Sequence, residues 1–132
     1  MELGAEGGFD SGGEFSRQVK ATVGGVDVVL DNVGPATFDQ SMRSLVKGGR
    51  IVTSGGTSGA HVTIRVPYLF YKQIEIIGST MFTHREFEVA SEMVGSGKVP
   101  VLIDAVFDFE DLPLALAKMA AGEQFGKLVL RH

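Results

Sequence analysis

The chain of 132 residues has no cysteine, no long apolar run and no excess of basic residues. The lack of cysteine excludes disulfide bonds and thiolate zinc sites. No apolar run approaches the ~20 residues that a membrane-spanning helix needs, and the start MELGAEGGFD lacks the basic and apolar regions of a signal peptide. The net charge of -4 argues against nucleic acid as a partner. Together these absences predict a cytoplasmic protein.

The remaining composition is that of an ordinary globular protein, with 44% apolar residues. The eighteen glycines are spread along the chain, mostly at the ends of predicted elements, and therefore indicate turns rather than low complexity. No internal repeat, linker or domain boundary interrupts the pattern. We therefore predict a single domain over residues 1–132 that is large enough to bury a core.

Two short apolar runs rich in β-branched residues are the most informative feature. They lie within GVDVVLDNVG (25–34) and GGRIVTSGG (48–56), and each stops at a glycine turn. A segment of helical periodicity, opened by Pro35 and ended by Gly48, lies between them. This alternation predicts an α/β fold with a parallel sheet, whose ligands bind at the carboxyl ends of the strands.

The rest of the chain continues the alternation of helices and strands. Two sequences have the spacing of a helix capping box, Ser11 to Glu14 and Thr83 to Glu86. The further predicted elements are a weak strand at 5–10, a helix from Phe15 to about Gly24, an extended piece at 62–66, helical turns at 67–73, a strand at 74–79, a helix through 87–94, extended pieces at 99–103 and 105–109, a helix capped by Asp108 and ended by Gly122, and a strand at 127–130.

Five blocks stand in the order in which they occur in the medium-chain dehydrogenase/reductase superfamily. They read GVDVVLDNVG, LVKGGRIVTSGG, YKQIEIIGSTM, REFEVASEMVGSGKV and GEQFGKLVL, and they cover nearly the whole chain. IGSTM followed by THREF is the most diagnostic stretch. The chain most resembles the branch of zinc-type alcohol dehydrogenases and quinone oxidoreductases, although Phe82 stands where that branch would have glycine.

The resemblance implies a partial Rossmann-type sheet with flanking helices. No G-x-G-x-x-G phosphate-binding motif precedes the first strand. We therefore expect the C-terminal portion of a dinucleotide-binding domain that lacks the first βαβ unit. In the family, zinc belongs to a catalytic domain outside this stretch, if it is present at all. The residue that selects NAD or NADP also lies in the absent unit, so the preference for NAD or NADP stays open.

The resemblance also implies where the nicotinamide cofactor would make contact. The turn after the first strand would lie beside the ribose and nicotinamide, the turn after the second against the ring, and the turn after the third against the carboxamide, while a late lysine would reach a phosphate. Ordinary turns and a solvated lysine are the alternatives. The expected cofactor contacts are Asp31, Asn32, Val33, Gly34, Ser54, Gly55, Gly56, Ser79, Thr80, Met81 and Lys127.

No residue of the sequence stands out as a general acid, a general base or a metal ligand. His61 and His84 have no partners at metal-ligand spacing. Asp104 and Asp108 have the positions of turn and cap residues. We therefore predict neither catalytic nor metal-binding residues in this stretch.

A Tyr-x-x-x-Lys pair, Tyr68 and Lys72 with Ser58 upstream, offers a different interpretation. This is the catalytic spacing of short-chain dehydrogenases, because it places both groups on one helix face. That family needs a long helix continuing from the tyrosine, however, and a predicted strand begins directly after Gln73. The short-chain interpretation is therefore the weaker one.

The resemblance implies part of an NAD(P)-dependent oxidoreductase that shapes the nicotinamide side of its site. The substrate would be a small carbonyl compound, alcohol or quinone, and the protein would be a homodimer. The alternative from another class is a non-catalytic chain that only folds or self-associates, since an unpaired strand edge recruits partners.

Overall fold

The computed structural model describes residues 4–132 and confirms the α/β class. These residues divide into two compact units, one ending at Met81 and one spanning Phe82–His132. The first contains α1 (Phe15–Val23), β1 (Val26–Asp31), α2 (Phe38–Ser44), β2 (Leu45–Thr53), α3 (Val66–Lys72) and β3 (Glu75–Gly78). The second contains α4 (His84–Gly95), β4 (Ile103–Asp108), a 3-10 turn (Phe109–Asp111), α5 (Leu112–Ala121) and β5 (Lys127–Arg131).

The first unit is built on a three-stranded parallel sheet in the order β1-β2-β3. Val29 of β1 pairs with Ile51 of β2, and Ile51 pairs with Ile76 of β3. Because side chains alternate between the faces of a strand, these three share one face of the sheet. The carboxyl ends of all three strands lie at one edge, as the sequence predicts.

The two faces of this sheet differ sharply in burial. Ile51 is 0% exposed, and its face carries a core that also contains Phe38, Met42, Leu45 and Ile74. On the opposite face Leu30 is 72% exposed, and its neighbours there are Val52 and Ile77. An apolar sheet face therefore stays open to solvent.

The helix expected from Pro35 to Gly48 is shorter than predicted. It begins at Phe38 and ends at Ser44, and β2 starts at once with Leu45 and continues through Gly48. Leu45 is 1% exposed and pairs with the start of β1, so burial in the core favours the extended backbone over helical propensity. Lys72 binds backbone carbonyls at the end of α2: its Nζ donates hydrogen bonds to the carbonyls of Arg43 (3.2 Å) and Leu45 (2.7 Å).

Two other local expectations are wrong. Residues 5–10 form no strand, and the glycines there make an extended backbone entropically costly. No capping box forms at Ser11, since Glu14 occupies the N-cap of α1 without a side-chain hydrogen bond. The extended pieces predicted at 62–66 and 99–103 pair with no strand over most of their length, and β4 includes only Ile103 of them.

The second unit consists of the parallel pair β4-β5, α5 and α4. The capping box of α4 is confirmed: Thr83 Oγ1 accepts a hydrogen bond from the Glu86 N–H (3.3 Å), and the Glu86 carboxylate accepts one from the Thr83 N–H (2.7 Å). The hydrogen bonds from Thr83 lower the pKa of Glu86. Gly122 adopts the left-handed conformation that ends α5, as predicted.

Within residues 4–132, none of the helices combines the length and apolarity required to cross a membrane.

Candidate functional site

A cleft of about 750 Å³ lies at the carboxyl ends of the strands in the first unit. It contains residues from the turns that follow β1, β2 and β3, which the sequence predicts to be the ligand-binding edge. Of the expected cofactor contacts, it is lined by Gly34, Ser54, Gly55, Gly56 and Ser79. The lining residues that the sequence did not single out are Phe38, Thr53, Thr57, Gly59, Ala60, Val62, Ile64 and Ile76.

The carboxylate of Asp31 is directed into the protein and not into the cleft. Its side chain accepts hydrogen bonds from the Val33 N–H (3.1 Å), the Gly34 N–H (2.8 Å), the Thr37 hydroxyl (2.9 Å) and the Ser41 hydroxyl (2.8 Å). Asp31 is 4% exposed. It therefore fastens the turn after β1 to the start of α2.

The environment of Asp31 keeps this carboxylate ionised. Burial acts to raise its pKa, but the hydrogen bonds from Gly34, Ser41 and Thr37, together with that from Val33, outweigh burial and lower the pKa below its usual value. A carboxylate that stays charged and has its acceptor sites occupied is a poor general base. Asp31 therefore acts as an anchor for the turn.

The turn after β1 and the loop after β2 are joined by their backbones. The Ser54 N–H donates to the Asp31 carbonyl (3.2 Å), and the Ser58 N–H donates to the Val33 carbonyl (2.9 Å). A Cβ on Gly56 would lie 2.6 Å from the Gly59 carbonyl oxygen. Glycine is therefore required here by the packing of the loop itself, whether or not a ligand approaches it.

Gly34, in the turn after β1, also has no room for a side chain, because the loop after β2 packs against it. Its φ is +86°, and a Cβ there would lie 3.1 Å from the Cα of Gly56. The sequence indicated a glycine turn at this position but not its reason, which is the contact between two segments about twenty residues apart. Close packing of the two turns forms one wall of the cleft.

The turn after β3 contributes only its first residue to the cleft. The Ser79 N–H donates to the Thr53 carbonyl (2.9 Å), which extends the sheet by one bond at the cleft edge. Thr80 and Met81 are exposed and do not line the cleft, and Met81 is 82% exposed. Asn32 and Val33 do not line it either.

Lys127 lies in the second unit, as the first residue of β5. Its side chain is exposed, and its N–H donates to the Leu102 carbonyl (2.8 Å). The preceding Gly126 has a φ of +121°, and a Cβ there would lie 2.7 Å from that same carbonyl oxygen. The close approach of the Leu102 carbonyl at the start of β5 therefore explains why glycine precedes the lysine.

The Tyr68 and Lys72 pair has a structural role. Lys72 Nζ binds the two carbonyls at the end of α2 and lies 5.6 Å from the centre of the Tyr68 ring. Burial and the nearby charge of Lys20 lower its pKa. Because α3 ends at Lys72, the long helix of a short-chain dehydrogenase is missing and that interpretation fails.

The other titratable candidates form ion pairs and a hydrogen bond to the backbone. The expectation that Asp108 caps the last helix is wrong, since α5 begins at Leu112 with Asp111 at its N-cap and the Asp108 side chain makes no cap hydrogen bond in the part of the chain that the structure describes. Asp104 accepts hydrogen bonds from Lys118 and from the Phe125 N–H, which lower its pKa. Asp108 pairs with Arg131 at 2.7 Å. Throughout residues 4–132, no three or more His, Cys, Asp or Glu side chains are grouped so that they could hold a metal ion, so these residues do not fit zinc.

The chemistry of the cleft lining favours binding and orientation. Serine and threonine hydroxyls and the backbone of residues 54–57 supply its polar groups, and Phe38, Val62, Ile64 and Ile76 supply an apolar surface. No titratable side chain belongs to the lining in the described residues. The lining therefore suits a ligand with both apolar and polar groups, and the described residues bring no acid or base to it.

Comparison with known proteins identifies similar domains. A family model described as zinc-binding dehydrogenase matches residues 3–130. An acryloyl-coenzyme A reductase of Metallosphaera sedula is 32% identical over 120 residues, which cover 90% of this chain and 36% of that protein.

Solved structures show the same likeness. An NAD-dependent alcohol dehydrogenase is similar with a TM-score of 0.79 at 28% identity, over 90% of this chain and 35% of that one. The 2-octenoyl-CoA carboxylase reductase CinF, in complex with NADP and 2-octenoyl-CoA, is similar with a TM-score of 0.78 at 28% identity, over 89% of this chain and 26% of that one. The chain thus spans between about a quarter and about a third of the length of these proteins.

Proposed function

Since the chain belongs to the zinc-binding dehydrogenase family, as its resemblance predicts, we propose that it forms the nicotinamide side of the cofactor site in an NAD(P)-dependent oxidoreductase. The observation that carries the proposal is the position of the cleft, at the carboxyl ends of three parallel strands. The similar proteins include an NAD-dependent enzyme and one bound to NADP. The choice between the two cofactors accordingly stays open.

In this proposal the chain binds and orients the nicotinamide ring. The backbone of Ser54, Gly55 and Gly56 lies against the ring, Gly34 and Ser79 border it, and the apolar side chains of the cleft exclude water. Asp31 acts indirectly by holding the turn that contains Gly34. Nicotinamide, when bound, supplies the hydride chemistry. Contacts from Asn32, Val33, Thr80, Met81 and Lys127 stay predictions.

The substrate we propose is a carbonyl compound, an alcohol or an activated double bond. An acryloyl-coenzyme A reductase and an octenoyl-CoA carboxylase reductase are among the similar proteins, which supports the activated double bond. Among residues 4–132 no acid or base lines the cleft, so a proton for the substrate would come from water or from residues outside this cleft. A cytoplasmic location and a homodimer also stay predictions.

The test is a titration of the 132-residue chain with NADH and NADPH, followed by thermal unfolding. A ligand that prefers the folded protein raises the unfolding midpoint in a saturable way. We expect such a rise with at least one cofactor. No shift up to millimolar concentrations of either cofactor would contradict binding by this chain.

Two adjacent isoleucines provide a matched pair of variants. Ile76 lines the cleft and is 39% exposed, whereas Ile77 faces the opposite side of the sheet and is 38% exposed. Ile76→Ala removes three carbon atoms that contribute about 0.8 kcal/mol each when fully buried, and the cofactor can newly bury only their exposed part, so we expect binding to weaken by roughly fivefold. Ile77→Ala should leave the affinity unchanged. Equal weakening of cofactor binding by both variants would contradict the proposal that the cofactor binds in this cleft.

The open sheet face favours self-association as a second candidate. Val28 and Leu30 are 55% and 72% exposed in a parallel sheet, a type normally covered on both faces. In the described residues β1 pairs with β2 alone, which leaves its outer edge unpaired. We propose that the isolated chain dimerises through this region. Sedimentation as a monomer at high concentration would contradict this.

A further inference from the structure

The loop after β2 contains a tight turn with one residue, Ser58, that has no part in the proposed function. The Gly59 N–H donates to the Gly56 carbonyl (3.0 Å), which closes a four-residue turn. Ser58 is the third residue of this turn. It is exposed and does not line the cleft, whereas its neighbours Thr57 and Gly59 do.

Ser58 makes three hydrogen bonds to the segment that follows β1. Its N–H and its hydroxyl both donate to the Val33 carbonyl, at 2.9 Å and 2.7 Å. Its Oγ also accepts from the Ala36 N–H at 3.0 Å. One side chain thus satisfies an acceptor and a donor on a segment more than twenty residues away.

These two partners flank Gly34 and Pro35, the point where the chain turns from β1 towards α2. Ala36 lies just before that helix, where backbone N–H groups have no partner within the helix. Asp31 serves the N–H groups of Val33 and Gly34, and Ser58 serves that of Ala36. The two side chains therefore bind consecutive parts of the same segment.

We propose that Ser58 is a positioning residue that locks the two loops of the cleft together and thereby sets the shape of its wall. It acts through Gly34 on one loop and through Thr57 and Gly59 on the other, all three of which line the cleft. The inference rests on the proposed function insofar as the cleft receives nicotinamide. The lock itself is a property of the chain without ligand.

The variant Ser58→Ala tests the hydrogen bonds between the two loops without disturbing the rest of the fold. The variant loses two of the three hydrogen bonds and keeps the one from the backbone N–H. The turn also persists, because the bond between Gly59 and Gly56 needs no side chain. Since Ser58 is exposed and lies outside the core, we expect the melting temperature of the variant to change little.

Amide hydrogen exchange, resolved by residue with NMR, tests the lock directly. A neutral hydrogen bond of this kind changes a local equilibrium by about three- to tenfold, so Ser58→Ala should speed exchange at Ala36 by that factor. The Gly34 N–H, held by Asp31, provides an internal reference that should change less. Unchanged exchange at Ala36 would overturn the proposal.

Thr63→Ala is the matched control, because it removes a hydroxyl from the same loop region. Thr63 is exposed, and its hydroxyl forms no hydrogen bond with the residues that the structure describes. This control should leave exchange at Ala36 as it is in the parent chain. Equal acceleration in both variants would show general loosening and would overturn the specific role of Ser58.

The affinity for NADH and NADPH then tests the positioning role. We expect Ser58→Ala to weaken binding at least threefold relative to Thr63→Ala, at an equal melting temperature. Faster exchange at Ala36 with unchanged affinity would overturn positioning. If the parent chain binds neither cofactor, the proposed function fails for this chain, while the exchange result still decides whether Ser58 locks the loops.

Discussion

The two units use similar apolar patterns but bury them to very different degrees. In the first unit Phe38, Met42 and Ile51 are 4%, 2% and 0% exposed. Within residues 82–132, Ala115 alone falls to comparable burial, at 5%. Helix α4 contains no buried residue, and Phe87 on it is 51% exposed. Amphipathic periodicity thus predicted helices in both units, but a cluster of several buried residues forms only on the three-stranded sheet of the first unit and not on the two-stranded sheet of the second.

This contrast separates two origins of helix stability. Helix α2 ends at Ser44, directly before β2, and its apolar residues lie in the core of the first unit. Helix α4 depends instead on local features, above all the capping box of Thr83 and Glu86. Changes in the core of the first unit should therefore cost far more stability than equivalent changes in the second.

The largest effect is expected from Ile51→Ala. Ile51 is fully buried at the centre of the sheet, and truncation of such a residue costs about 2–5 kcal/mol because a cavity remains. The counterpart is Leu116→Ala in α5, where the side chain is 48% exposed and the expected cost is under about 1 kcal/mol. Urea unfolding, followed through NMR signals of the unit that carries the change, measures both. Equal costs would refute the contrast between the units.

The next effect comes from Asp31→Asn, which removes the charge but keeps the shape. Hydrogen bonds to a charged group contribute more than neutral ones, so we expect a loss on the order of 2–3 kcal/mol at pH 7. The folded-state pKa of Asp31 lies below its usual value of 3.8. Its stabilising contribution is therefore complete above that value and is lost as the pH falls through the lower folded pKa.

The control for this pH dependence is Asp27→Asn on the same strand. Asp27 is exposed, and its side chain makes no hydrogen bond or ion pair within residues 4–132. Unfolding measured between pH 7 and pH 2 should show a shallower acid loss for Asp31→Asn than for the parent chain or Asp27→Asn. Identical acid profiles for all three proteins would argue against Asp31 as the anchor of the turn.

The smallest changes in stability are expected from alanine substitution of one glycine in each unit. Gly56→Ala would place a Cβ 2.6 Å from the Gly59 carbonyl oxygen, and such crowding costs about 1–3 kcal/mol. Gly95 ends α4 with nothing within 4 Å of an added Cβ. Gly95→Ala should therefore stabilise the second unit by about 0.5–1 kcal/mol. Thermal unfolding of the two variants should give midpoint shifts of opposite sign.

Much of the fold could be predicted from the sequence because its signals are local. The apolar runs at 26–30 and 50–53, the capping box at Thr83 and the glycine after α5 each act over a few residues. The early end of α2 could not be predicted in this way. It depends on Leu45 entering the core and on Lys72, which lies far along the chain but binds the last carbonyls.

In the candidate site, too, local features could be predicted from the sequence and contacts between distant segments could not. The sequence indicated the correct edge of the sheet, because parallel strands of an α/β unit end together. It grouped Asp31 with the ligand contacts, whereas the structure gives its carboxylate four hydrogen bonds inside the protein. It considered Ser58 only as part of a short-chain pattern, whereas Ser58 joins the two loops of the cleft.

The sequence alone determined the types and order of the elements and the family to which the chain belongs, since periodicity, capping and glycine turns are encoded over short distances. The tertiary structure decided which side chains face the cleft, which face the core and which hold the loops. Those outcomes depend on hydrogen bonds and packing between segments such as 31–36 and 54–59, which meet only when the chain has folded. A local pattern cannot encode a contact whose partner lies twenty residues away.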